Sequence, residues 1–197
     1  MVGEGLGKEL GKEMAKSRRQ DKYTPKQLLD QLLKSIEHGE INNAERLIEQ
    51  GVHLNADYWY EFPAAYAIHF NQPQILALLI RHGTNPRYSD DALFCEATYW
   101  KQWDAFKILL TAVFSPDLWR GKTLLDIQKE AHLIYMNIQN ETPKYYANVI
   151  DYPEMLDEPL HLAQVELVDV AMTCWEHVRP DPPKIDISTI PAKGKPV

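Results

Sequence analysis

Gly121, Lys122 and Thr123 match the last three positions of a phosphate-binding loop, a pattern with a defined chemistry. Such a loop holds a nucleotide by surrounding its phosphates with backbone N–H groups, and the motif also requires a glycine at position 116. The chain has Pro116 there. The spacing therefore does not predict a nucleotide site.

Histidine and cysteine residues could supply a metal site or a nucleophile. The histidines form no His-Glu-x-x-His pattern, and Cys95 and Cys174 are too far apart in sequence for a Cys-x-x-Cys pair. We expect both thiols to be buried, because free cysteine packs as a small hydrophobic side chain. These residues predict no metal, no cofactor and no catalytic constellation, and we expect that the chain is not an enzyme.

Composition and charge disfavour several other classes of protein. The chain has 197 residues and a formal net charge of −7, whereas nonspecific binding of nucleic acid depends on basic side chains. Its apolar runs are too short to cross a bilayer, and residues 1–14 lack the apolar core of a secretory signal. We expect a cytoplasmic protein with no nucleic-acid or membrane partner.

Noncovalent recognition remains, and three adjacent aromatic residues point to it. Tyr58, Trp59 and Tyr60 follow one another between two acidic residues. Large exposed rings gain little from contact with water, so this run requires either a partner or burial in the protein itself. Both interpretations stay open at this point.

The elements that would position such rings are short paired helices that recur along the chain. When the sequence is aligned with itself one repeat apart, Ile36 falls on Ile68 and Ala67 falls on Ala97. A self-match with a period of about 33 residues and a helix-turn-helix pattern in each unit is typical of a solenoid. One pair cannot bury its own apolar face, so we expect the pairs to stack.

Residues 24–135 resemble the ankyrin repeat family, whose repeat contains the pattern T-P-L-H-x-A. The segment from Phe62 to Ala67 reads FPAAYA and keeps the Pro and the final Ala of that pattern. Ala97 and Thr123 match the pattern in the next two repeats. The resemblance implies an all-α ankyrin-type helical solenoid of about four degenerate repeats, with β-hairpin fingers between repeats.

The resemblance also implies which residues would contact a partner. In ankyrin repeat proteins these are the finger residues and the residues that end the first helix of each repeat. Tyr and Trp, which dominate binding hot spots, are frequent among them here. Carried over by position, they are Tyr58, Trp59, Glu61, His69 and Phe70 in the second repeat, Tyr88, Ser89, Asp91, Tyr99 and Trp100 in the third, and Trp119, Arg120 and Lys122 in the fourth.

The chain divides into four parts by composition. They are a basic, glycine-rich arm (1–23), the repeat array (24–141), an acidic helical cap (142–178) and a proline-rich tail (179–197). We expect a long helix from Thr123 to Asn140 at the end of the array. Thr142-Pro143 is then expected to open a new helix and Asp157-Glu158-Pro159 the last one.

These features predict a protein-protein interaction module that binds a basic or neutral protein stoichiometrically. Small size and acidity suit an inhibitor or immunity-type protein that masks a basic enzyme in a bacterial or phage setting. Two alternatives stay open. One is an ankyrin adaptor or secreted effector that binds a host protein. The other is an enzyme with its site in the C-terminal segment, which would require a pocket gathering His132, His161 and several carboxylates.

Overall fold

The part of the chain that the structure describes folds into α-helices. The computed structural model describes residues 23–55, 62–146 and 157–180, and these ranges contain no strand. The expected all-α class is therefore confirmed for them. In chain order the helices are α1 (Pro25–Glu37), α2 (Ile41–Glu49), α3 (Pro63–His69), α4 (Pro73–Arg81), α5 (Tyr88–Tyr99), α6 (Trp103–Val113), α7 (Pro116–Trp119), α8 (Leu124–Tyr146) and α9 (Asp157–Val178).

The first helix begins where local sequence signals predict. The Gln27 backbone N–H donates to Thr24 Oγ1 at 3.2 Å, and the Thr24 N–H donates to Gln27 Oε1 at 2.8 Å. Pro25 occupies the first helical position, where its missing N–H removes no helical hydrogen bond. No helix in the described ranges has the length and hydropathy that spanning a bilayer would require.

The first six helices form three pairs, and the same turn joins the two helices of each pair. At Gly39, Asn71 and Lys101 the backbone is left-handed, with φ of 69°, 52° and 54°. The following N–H then donates to a carbonyl in the last turn of the helix, from Glu40 to Ser35 at 2.8 Å, from Gln72 to Ala67 at 2.7 Å and from Gln102 to Ala97 at 2.8 Å. This Schellman arrangement satisfies carbonyls that would otherwise lack donors. The chain thus reverses in the same way three times.

The pairs stack side by side in two layers. α1, α3 and α5 contact one another in order in one layer, and α2, α4 and α6 do so in the other. α8 continues the first layer beside α5. The core lies between the layers, and its largest fully buried side chains include Leu32, Ile36, Leu47, Ile68, Leu76, Leu79, Leu93, Phe94, Phe106 and Leu109.

The predicted helix start at Thr142-Pro143 is wrong. α8 runs without a break from Leu124 to Tyr146, and it crosses the boundary that was expected after residue 141. Thr142 is fully buried and continues the buried face of Ile134 and Ile138, so the helix gains packing where the local signal favoured a new start. The last helix does begin at Asp157, as predicted.

Two ion pairs show how α9 is oriented. Lys101 Nζ lies 3.3 Å from Glu158 Oε2, and Lys107 Nζ lies 3.1 Å from Glu166 Oε1. Since both residue numbers increase together, α9 runs in the same direction as α6. α8 and α9 therefore form a fourth, longer pair beside the third one, and α9 contacts α5, α6, α7 and α8.

The turn at Lys101 generates a test of how much the left-handed conformation costs. Lys101→Gly should be more stable than Lys101→Ala by about 1 kcal/mol, because glycine has no Cβ to clash in this region. Both variants remove the Lys101–Glu158 ion pair, so the difference in their stabilities reports only the cost of the left-handed backbone conformation at position 101. Urea denaturation of the two variants measures the difference. Equal stabilities would contradict the proposed role of the turn.

Candidate functional site

Four predicted contact residues meet on the surface where α3 and α5 end. His69 and Phe70 close α3, and Tyr99 and Trp100 close α5. The two ring pairs hold equivalent positions in successive helix pairs, and α3 and α5 are neighbours in one layer. The stacking therefore brings together rings that lie far apart in sequence.

Ring contacts hold this group in place. The His69 ring centroid lies 5.2 Å from that of Trp100 and 5.0 Å from that of Phe70, edge to face in both cases. Tyr99 contacts Trp100 at 4.9 Å, and Tyr66 contacts Phe70 at 5.6 Å. Each such contact stabilises its geometry by about 0.5–1.5 kcal/mol. We call Tyr66, His69, Phe70, Tyr99 and Trp100 the aromatic cluster.

A carboxylate lies directly beside the aromatic cluster. The Trp100 indole N–H donates to Glu96 Oε1 at 2.8 Å, and His69 Nδ1 lies 4.0 Å from the same oxygen. The Glu96 side chain is only 13% exposed, whereas Trp100 is 42% exposed. The cluster thus combines exposed rings with a shielded acidic group, and aromatic faces of this kind attract cations.

Sequence reasoning missed two members of this site, Tyr66 and Glu96. Each lies four residues before a predicted contact residue, Phe70 and Trp100 respectively. Residues with that spacing share one face of a helix. The i, i+4 relation was therefore the signal that could have identified them.

Tyr88 and Trp119 pack against the core, although the resemblance implied a partner-facing position for both. The Tyr88 ring centroid lies 4.2 Å from that of buried Phe62. Trp119 stacks on Phe114 at 5.8 Å, and its indole N–H donates to the carbonyl of Val113 at 2.8 Å. Both rings stabilise the protein's own interior.

Asp91 is fully buried, so the expectation that it faces a partner is wrong. Arg87 donates through Nε and Nη2 to both of its carboxylate oxygens, at 2.6 and 2.8 Å. Asn137 Nδ2 also donates to Asp91 Oδ2 at 2.8 Å, and Arg87 pairs with Glu130. A buried carboxylate needs such partners, and these partners join the start of α5 to α8.

The same segment replaces the β-hairpin finger that the resemblance implied for the third repeat. Ser89, Asp90 and Asp91 are all left-handed, with φ of 50°, 53° and 64°. This conformation costs about 1–2 kcal/mol for a residue with a Cβ. The hydrogen bonds and charge of the Asp91 site offset that cost.

The remaining predicted residues lie outside the aromatic cluster. Arg120 is exposed and its Nη2 lies 3.2 Å from Asp117 Oδ1, while Ser89 and Lys122 are also exposed. Tyr58, Trp59 and Glu61 lie outside the described residues, so their contribution stays a prediction.

A groove of about 290 Å³ between α8 and α9 is another candidate site. Its lining residues are Gln128, Ala131, His132, Tyr135, Gln164, Leu167, Val168, Ala171 and Met172. Neither His161 nor a carboxylate lines it, so it does not supply the pocket that the enzyme alternative requires. Within the described ranges, no cluster of His, Cys, Asp and Glu side chains is arranged to hold a metal ion.

Both cysteines are buried, as the sequence predicted. Burial raises the pKa of the Cys95 thiol to about 12, and it also raises the pKa of Cys174. Because the thiolate is the reactive form, neither residue is an effective nucleophile at neutral pH.

Comparison of the chain with protein-family models, with curated proteins and with solved structures finds no match.

The buried site at Asp91 generates a prediction about stability. Asp91→Ala should lower the free energy of unfolding by about 3 kcal/mol, because it removes a buried carboxylate, leaves Asn137 Nδ2 without this acceptor and leaves Arg87 with Glu130 alone. Asp117→Ala is the matched control, since Asp117 also pairs with an arginine but in water, where the loss should be about 0.5 kcal/mol. Chemical denaturation of both variants measures the two values. Similar losses would show that the Asp91 site contributes no more than a surface ion pair.

Proposed function

We propose that this chain is a binding module for another protein, built as a divergent ankyrin-type solenoid. The architecture is supported by helix pairs that recur at a nearly constant spacing, by the identical left-handed turn within three pairs and by their stacking in two layers. In this proposal α8 and α9 are the fourth repeat, enlarged to form the C-terminal cap.

The exposed rings of the aromatic cluster are the observation that carries the functional proposal. Trp100 is 42% exposed and the His69 side chain is 51% exposed, in a group of five neighbouring rings. Aromatic residues gathered on a surface are typical of binding hot spots. Ring contacts and the hydrogen bond to Glu96 fix the side chains before a partner arrives, so binding would cost little side-chain entropy.

The partner that fits this surface is a basic or neutral protein that presents an arginine or lysine to the rings. A cation over an aromatic face gains about 0.5–2 kcal/mol, depending on how far it is desolvated. Glu96 adds a negative charge beside the rings, and the net charge of −7 favours encounter with a basic surface. Stoichiometric masking of a basic protein, as by an inhibitor or immunity-type protein, is the form of binding that we propose.

Removal of two rings tests the surface itself. The double variant Phe70→Ala, Trp100→Ala should weaken binding of a captured partner at least about thirtyfold, because a single hot-spot ring contributes about 2 kcal/mol or more. Affinity capture identifies the partner, and titration measures its dissociation constant. Leu118→Ala is the control, since Leu118 is 66% exposed on α7 and should leave binding unchanged. A folded double variant with unaltered affinity would overturn the proposal.

Glu96→Gln tests the charge of the partner separately. The amide oxygen of glutamine can still accept the Trp100 hydrogen bond, so the rings keep their positions while the negative charge is lost. We expect binding to weaken about threefold to tenfold and to become less sensitive to salt. Unchanged affinity and salt dependence would contradict a cationic contact here, without affecting the ring prediction.

A further inference from the structure

A row of side chains runs along one face of α9, from its first residue to just beyond its last. At helical spacing the row consists of Asp157, His161, Gln164, Val168, Met172, Trp175 and Arg179. All of them are exposed except Trp175, which is partly buried. Arg179 belongs to the row because its N–H donates to the carbonyl of Trp175 at 2.8 Å, which continues the last helical turn. We call these residues the α9 row.

The α9 row lies on the side of α9 that is remote from the other helix pairs. Glu166 pairs with Lys107 of α6, and it lies about 160° around the helix from Val168. Val168 lines the groove that α9 shares with α8, and the groove opens where a further pair would stack. A solenoid that ends on an apolar face needs a cap.

Charge is absent from the middle of this face. The residues that line the groove include no Lys, Arg, Asp or Glu, although 25% of the residues of the chain are charged. Val168 and Met172 are nevertheless 58% and 39% exposed. Depletion of charge around apolar side chains is typical of the core of a protein interface, and a polar rim surrounds such a core. Asp157 and Arg179, at the two ends of the α9 row, match that rim.

The spacing of the α9 row is symmetric about Val168. Successive members are separated by 4, 3 and 4 residues before Val168 and by 4, 3 and 4 residues after it. A two-fold axis brings the same patch of both copies together, so a patch that is symmetric about one point suits it. We infer that a second copy of this chain covers the face, with the two α9 helices antiparallel and the axis at Val168.

This arrangement places complementary residues opposite each other. Residues equally far from Val168 in sequence meet, so Asp157 lies opposite Arg179 of the second copy. Both are 11 residues from Val168, which is about 16 Å along the helix. Neither forms an ion pair with another residue of the described ranges. The axis generates this contact twice.

The other carboxylates of α9 do not oppose one another in the dimer. Opposite Glu158, Glu166, Asp169 and Glu176 lie Val178, Val170, Leu167 and Leu160 of the second copy. Glu158 and Glu166 also keep their pairs with Lys101 and Lys107. The net charge of −7 on each copy slows their encounter, but salt at physiological concentration screens that repulsion beyond about 8 Å.

The face is large enough for a stable dimer. α9 has 22 residues and is therefore about 33 Å long, and two adjacent helices with their side chains are about 20 Å wide. Each copy would thus contribute about 650 Å². The total of about 1,300 Å² lies within the range of specific interfaces, which begins at about 1,200 Å².

Sedimentation velocity of the full chain at increasing concentration tests for the dimer. The mass should approach twice the 22.8 kDa of one chain. Val168→Glu should raise the dissociation constant of the dimer at least about thirtyfold, because it places two carboxylates together at the axis. Leu133→Glu is the matched control, since Leu133 is 48% exposed but does not line the groove, and it should leave the dimer unchanged.

Both substituted side chains are exposed, so both variants should stay folded, and circular dichroism checks this. A wild-type chain that remains monomeric up to about 200 µM would overturn the inference, because an interface of this area should associate at lower concentration. Equal effects of the two substitutions would also overturn it.

A charge exchange tests the antiparallel orientation. Asp157→Arg alone and Arg179→Asp alone should each weaken the dimer about tenfold, because each turns two attractive contacts into repulsive ones. The double variant with both changes should restore the wild-type dissociation constant, since the exchanged charges again meet across the axis. Single variants that dimerise like the wild type, or a double variant no tighter than either single one, would overturn the inference.

Discussion

The repeated reversal of the chain within each helix pair is the constraint on which the structure depends. Gly39, Asn71 and Lys101 adopt the same left-handed conformation, and the N–H that follows each one donates to the last turn of the preceding helix. Identical turns give the pairs similar geometry, so their apolar faces can stack in two layers. Only Gly39 takes this conformation without a steric cost from a Cβ, and the packing of the layers must offset that cost at the other two turns.

The aromatic cluster follows from this regularity. Rings at the end of α3 meet rings at the same position of α5 because the two helices are neighbours in one layer. Glu96 then accepts the indole hydrogen bond of Trp100 and places a shielded charge beside the exposed rings. A surface with rings, a nearby carboxylate and little freedom to rearrange has the properties of a protein-binding site, and this is why we propose that function.

The start of α5 departs from the regular pattern of the helix pairs, and specific polar contacts stabilise it. The start of α5 has three consecutive left-handed residues, an arrangement that local preferences disfavour. Arg87, Asn137 and Glu130 hold this segment against α8 through hydrogen bonds and charge. The same site fixes α8 to the rest of the row, and α8 forms one wall of the groove that it shares with α9.

The sequence by itself determined the all-α class of the described residues, the capping box at Thr24, the break at Asn71 and the equivalence of the two ring pairs. These features depend on residues only a few positions apart or on a simple period. Only the tertiary structure decided that Asp91 is buried and that Thr142 lies inside a helix. It also decided that Tyr88 and Trp119 pack against the core. Asp91 finds its partner Asn137 46 residues away, and no local pattern encodes which distant side chain will be present to satisfy a buried charge.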